Sequence, residues 1–196
     1  MDDYKTKTDL ILPFNGTWKV TNGGRTVETN NHADPERSPK SMQHAYDFRL
    51  EHTGDGTKLE DYEVFRKEVT SPANGKIIQI INGAIDVIPG ERDRGNGVGN
   101  MIITDYGNGE FGMLCHLKHN SIKVEVGDEI KQGQAVGLCG NTGNTSEPHV
   151  HFQLQDGPFM HNSNALLAQF RRITVDGEIK ENYELIRGEM VSNEVL

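Results

Sequence analysis

Cysteine is scarce in this chain, with two in 196 residues. Two thiols cannot build the disulfide framework of a small secreted scaffold, so Cys115 and Cys139 are read as free. Proline numbers only seven against 22 glycines, which points to many turns rather than to a proline-rich disordered segment. No apolar run approaches the ~20 residues of a membrane span. Residues 1–8 are polar and lack the apolar core of an export signal. The expected location is therefore the cytoplasm, or the cell envelope or medium if a leader was removed or another export route is used. Positive charge is also in deficit: 20 Lys and Arg against 29 Asp and Glu leave a net charge of −9. That argues against nucleic acid or an anionic membrane as the main partner, since both reward a basic surface.

What is present reads as one turn-rich β domain. The length suits a single core. Short β-type runs fall at residues 17–20, 45–50, 68–70, 76–81, 100–104, 111–116, 121–126, 134–139 and 150–155. Asn-Gly and related turn signals separate them, as at Asn74-Gly75, Asn82-Gly83 and Gly140-Asn141-Thr142-Gly143. The only helical candidate is 164–170, and the last twenty residues are acidic and weakly patterned. The expected fold is all-β, an antiparallel curled sheet or β-sandwich, with a core at about 17–158 and a C-terminal extension at 159–196. The longer loops 34–41 and 89–99 are where a groove wall would come from.

The most informative stretch is Pro148-His149-Val150-His151-Phe152. Strand side chains alternate faces, so His149 and His151 point the same way, roughly 6–7 Å apart. One can bind a metal while the other acts beside it as a base or donor. His116 ends an apolar strand, and Asp47 sits inside the apolar run Ala45-Tyr46-Asp47-Phe48. A carboxylate or imidazole there needs a partner, and a metal would supply the cation. His52, His119 and His161 lie in polar surroundings and are expected on the surface. Tyr46, Phe48 and Trp18 are expected in the core. Asn141, Thr142 and Asn144 are expected to brace the loop before His149.

The ordered series His116-Leu117-Lys118, residues 121–137, Gly140-Asn141-Thr142-Gly143-Asn144 and Pro148-His149-Val150-His151-Phe152 closely resembles the core of the lysostaphin/LytM-type zinc endopeptidases. With residues 69–77 and 99–103 the resemblance spans roughly 64–158, with Asp47 upstream. It implies a LytM-like fold, a Zn2+ cofactor and hydrolysis of bacterial peptidoglycan cross-links or stem peptides; the chain is expected to act as a monomer. It makes His151 and Asp47 metal ligands, and His149 and His116 uncoordinated catalytic histidines. The family's third ligand lies four residues before that aspartate, where this chain has Gln43. His32 and His44 are the two replacements. His32 is preferred, because on a strand His44 would face the wrong way and because an Asn-x-His segment ahead of Ala-x-Asp-Phe resembles a branch of the family. The Gln43 departure keeps a second reading open, that of a catalytically inactive binding or regulatory module. A third is a structural metal-binding β domain.

Overall fold

In the computed structural model, residues 4–194 are described; the first three residues of the polar N-terminal stretch and the last two of the acidic tail lie outside the described residues. Among the described residues thirteen strands run β1 (Trp18–Asn22), β2 (Tyr46–Arg49), β3 (Glu68–Thr70), β4 (Gly75–Ile81), β5 (Asn100–Gly107), β6 (Glu110–Leu117), β7 (Glu129–Ile130), β8 (Ala135–Leu138), β9 (Val150–Gln155), β10 (Ala165–Leu166), β11 (Phe170–Val175), β12 (Glu178–Tyr183) and β13 (Met190–Asn193). Helical structure among the described residues is confined to three-residue 3-10 turns. One antiparallel sheet has the order β12-β11-β13-β1-β2-β9-β6-β5-β4-β7, with β10 on the end of β9, and β3 and β8 pair separately. The fold is thus all-β, as the turn-separated runs predict.

Strand alternation decides what meets what. Tyr46 and Phe48 of β2, Ile102 of β5, Leu114 of β6 and Val150, Phe152 and Leu154 of β9 point into one apolar cluster. Val69 of β3 and Val136 of β8 close over that cluster, and Trp18 stacks on Phe14 at 4.3 Å between ring centroids. The residues between them turn to the other face, where Met101, Ile103, Met113 and Cys115 form a smaller cluster. Asp47, His151, Gln153 and Gln155 share that second face by the same alternation. Register completes the placement: Asp47 pairs directly with His151, and Cys115 pairs with His151 from the other side. Cys115 and Cys139 are buried and free.

Three sequence expectations are corrected. Residues 164–170 form no helix: Ala165 and Leu166 extend along β9, and Phe170 begins β11. Ala165, Leu166, Leu167, Ala168 and Phe170 are all buried, and seven residues are too few for a helix to hold without packing that favours it. Residues 121–126 form no strand; they meet β8 through single bonds such as Lys123 N–H to Val136 O at 3.0 Å, not through a ladder. The acidic tail is patterned after all: β13 pairs with both β1 and β11, and β11 with β12, so this extension continues the main sheet.

Phe152 is fully buried between the sheet and its cover, whereas Val126 is 63% exposed. Phe152→Ala is expected to cost about 3–5 kcal/mol, and Val126→Ala to stay within about 0.5 kcal/mol. Chemical denaturation of both variants checks this; equal midpoints would contradict the packing described.

Candidate metal centre

Asp47 is the hub of the second face. Its side chain is buried, and its carboxylate receives a different imidazole on each oxygen: His32 Nε2 lies 2.9 Å from Oδ2 and His151 Nδ1 lies 2.9 Å from Oδ1. His149 Nε2 stands 3.6 Å from Oδ1, and Asn22 Nδ2 donates to Oδ2 at 2.6 Å. Burial by itself would raise the Asp47 carboxyl. His32 foremost overcomes that, holding the group well below the usual carboxylate range. Burial likewise opposes a charge on His32, but Asp47 prevails and raises His32 above its ordinary value.

His32 reaches this hub from a loop 15 residues ahead of Asp47, and local hydrogen bonds explain how. Buried Asn30 accepts from His32 N–H at 3.0 Å and donates to Gly24 O and Ala45 O, which fastens the short turn Asn31–Ala33 to the start of β2. Arg187, in the loop between β12 and β13, clamps the same loop from the opposite end of the chain. It donates to Thr21 O, Glu28 O, Asn22 Oδ1 and Asn31 Oδ1. His44 and Gln43 lie elsewhere, lining a surface hollow with Lys40, Asn164 and Ala165.

His116 and His149 flank the hub. Alternation along β6 would turn His116 to the same side as Leu114. A register shift against β5 inserts an extra residue here, and His116 adopts φ 59°, a left-handed conformation that re-aims its ring. The His116 ring then lies 4.8 Å from that of His149 and 5.8 Å from that of His151, centroid to centroid. Its Nδ1 is 2.7 Å from Thr142 O, and His149 Nδ1 is 2.9 Å from Glu147 O. A carbonyl only accepts, so both Nδ1 atoms carry the proton and both Nε2 atoms are bare. The loop supplying Thr142 is held tightly: Gly143 has φ 85°, and a Cβ there would lie 2.4 Å from Gly99 N. Asn141 and Thr142 are buried, with Asn141 bonding Thr145 and Val87 O, and Thr142 bonding Asn100 N–H and Leu117 O. His52 and His161 are exposed, and half-buried His119 bonds Ala84 O.

Two groups could hold a metal ion: His32, Asp47 and His151, and His116, His149 and His151; within each, one donor atom from every residue lies within 4.8 Å of the others. The first fits a catalytic zinc better. It offers three protein donors of mixed His and carboxylate type around one buried point, and its 2.9 Å separations are spanned by ligand bonds of ~2.0–2.1 Å. The second group offers three imidazoles and no carboxylate. Burial first, then the neighbouring histidines, pushes His116 well below its ordinary value, and burial depresses His149 to about 4 despite the opposing pull of Asp47. The hub opens to a polar cleft formed by Asn22, Asn31, Asp47, Arg49, Glu147 and His149, in which Arg49 and Glu147 form an ion pair. Sequence reasoning missed Asn22 and Arg187, whose roles arise from long-range contacts with no local signal. It also missed Gln153, which bonds His151 Nε2 at 3.1 Å. The pattern His151-Phe152-Gln153-Leu154-Gln155, polar at every second residue, carried that signal.

The sequence profile described as Peptidase family M23 matches residues 56–165, more than half of the chain, a span containing His116, His149 and His151 but neither His32 nor Asp47. The chain is similar to the peptidoglycan DD-endopeptidase ShyA of Vibrio cholerae, 38% identical over 56 residues, or 29% of this chain and 13% of that protein. It is also similar to the glycyl-glycine endopeptidase ALE-1 of Staphylococcus capitis, 35% identical over 69 residues, or 31% of this chain and 19% of the relative. The matches thus cover less than a fifth of each longer relative. Among solved structures, a zinc-containing peptidase from Vibrio cholerae shares the fold at a TM-score of 0.50 and 18% identity, over 81% of this chain and 39% of that one.

In the metal-free protein His149 is expected to stay neutral until the pH approaches about 4, against an ordinary value of 6.5. The unfolded chain takes up that proton first. The contribution of His149 to stability is therefore full above pH 6.5 and is lost as the pH falls through that window. An NMR titration of the His149 ring checks the shift; protonation at the ordinary value would contradict the burial argument.

Proposed function

The chain belongs to peptidase family M23, and on that premise we propose that it is a zinc-dependent endopeptidase acting on peptides of bacterial peptidoglycan, with His32, Asp47 and His151 as metal ligands and His116 and His149 as catalytic residues. One observation carries the reading: nitrogens of His32 and His151 converge at 2.9 Å on the two oxygens of a single buried carboxylate, with two further histidines beside them. An inactive module has no reason to keep five such groups together, since each costs free energy to bury. The substrate class rests on the activities for which the relatives ShyA and ALE-1 are named.

Two neutral imidazoles and one carboxylate leave a bound zinc ion net positive, and it supplies Lewis acidity, making a water more acidic and polarising the scissile carbonyl. The remaining work falls to the protein. Hydrolysis bonds the water oxygen to the carbonyl carbon, breaks the C–N bond and delivers a proton to the departing amine. The bare Nε2 atoms of His116 and His149 are the proton acceptors. Their depressed basicity keeps them unprotonated at neutral pH, ready to accept. The ring that has taken a proton becomes an N–H donor, stabilises the developing oxyanion and then passes the proton to the amine. Thr142 O and Glu147 O hold both rings through Nδ1–H, so each turns its working nitrogen inward without rearrangement.

Purified peptidoglycan, assayed for new amino termini with and without chelator, tests the activity. His32→Ala, Asp47→Ala and His151→Ala are expected to lose both zinc and turnover. His116→Ala and His149→Ala should retain zinc while turnover falls at least about 100-fold. His44→Ala should keep both. Full zinc content in the His32 variant, or zinc loss in the His149 variant, would overturn the assigned roles.

A further inference from the structure

We propose that Gln153 is a positioning residue that sets the tautomer of His151, and through it the nitrogen that His151 offers to a metal; the metal part of this rests on the function proposed above. His151, Gln153 and Gln155 alternate along one face of β9, and each is at most 1% exposed. Gln155 Nε2 lies 2.7 Å from Gly157 O, and Gln153 Nε2 lies 2.9 Å from Ser41 O. A backbone carbonyl can only accept, so both of these atoms must be amide N–H2 groups. The two orientations agree with each other, because Gln153 Nε2 also donates to Gln155 Oε1 at 2.7 Å.

Gln153 Oε1 is therefore the atom left facing His151 Nε2, at 3.1 Å. An amide oxygen also only accepts, so the His151 proton sits on Nε2 and its Nδ1 is bare. That bare nitrogen lies 2.9 Å from Asp47 Oδ1, lone pair against carboxylate. A cation between the two turns this repulsion into coordination, and a ligand histidine held by a second hydrogen bond is a recurrent device of metal sites. His116 and His149 are set the opposite way round by their carbonyl partners, with Nε2 bare. Three imidazoles in one site thus take their tautomers from acceptors outside it. The relay explains why a strand whose other face is wholly apolar keeps two buried glutamines.

Nitrogen NMR of the histidine side chains in metal-free protein at alkaline pH tests the tautomer without any substitution. His151 is expected to carry its proton on Nε2. Finding it on Nδ1 would overturn the proposal. Zinc affinity, measured by competition with a chelating dye, tests the consequence. Gln153→Leu is expected to move the His151 proton to Nδ1, where Asp47 accepts it, and to weaken zinc binding about 10–100-fold. Gln155→Leu leaves Ser41 O to orient Gln153 and should weaken it less. Binding by Gln153→Leu as tight as that of the unaltered protein would overturn the positioning role. If the unaltered protein shows the Nε2–H tautomer yet binds no zinc, the metal reading fails while the tautomer assignment stands.

Discussion

A buried carboxylate that must be matched is the constraint on which this structure turns. Asp47 lies on the strand that contributes Tyr46 and Phe48 to the core, and it sits where an unpaired charge would cost several kcal/mol. Pairing β2 with β9 in the register Asp47 to His151 places an imidazole directly opposite. His32, His149 and Asn22 bring further polar groups to the same carboxylate. His32 and Asn22 meet the electrostatic demand of this one side chain from separate stretches of chain.

The same strands serve packing and chemistry by dividing their faces. Phe152, between His151 and Gln153, belongs to the apolar cluster, while its neighbours face the polar side. A shift of one residue in register would exchange the two sets, so core burial itself protects the geometry of the site. At His116 the division fails to deliver the required direction. A local bulge with a left-handed residue supplies it, and the strain of a positive φ is held in place by the bond to Thr142 O.

The site also extends beyond the span that the family profile matches. His32 and Asp47 precede residues 56–165, and Arg187 follows them. Arg187 joins the His32 loop to Asn22, whose amide bonds Asp47, so the two ends of the chain meet around one carboxylate. The C-terminal hairpin of β11 and β12, with β13, continues the sheet past β1 and carries this clamp. In a chain of this topology the flanking segments brace the centre as well as the sheet edge.

Strand alternation, turn chemistry and motif order were legible in the sequence because each depends on residues a few positions apart. They sufficed to determine an all-β antiparallel fold, to place His149 and His151 on one face and to single out Asp47 and His116. Between the two candidates for the missing ligand, local pattern supported only a preference for His32 over His44, since which of them meets Asp47 depends on how a loop folds back over 15 residues. Only tertiary structure brought His32 onto Asp47, re-aimed His116 and supplied the Arg187 clamp and the glutamine contacts behind His151. It also turned 164–170 from a helical candidate into extended chain. These are outcomes of long-range pairing, in which the partner of each group lies in another part of the chain, and local propensity carries no information about the partner.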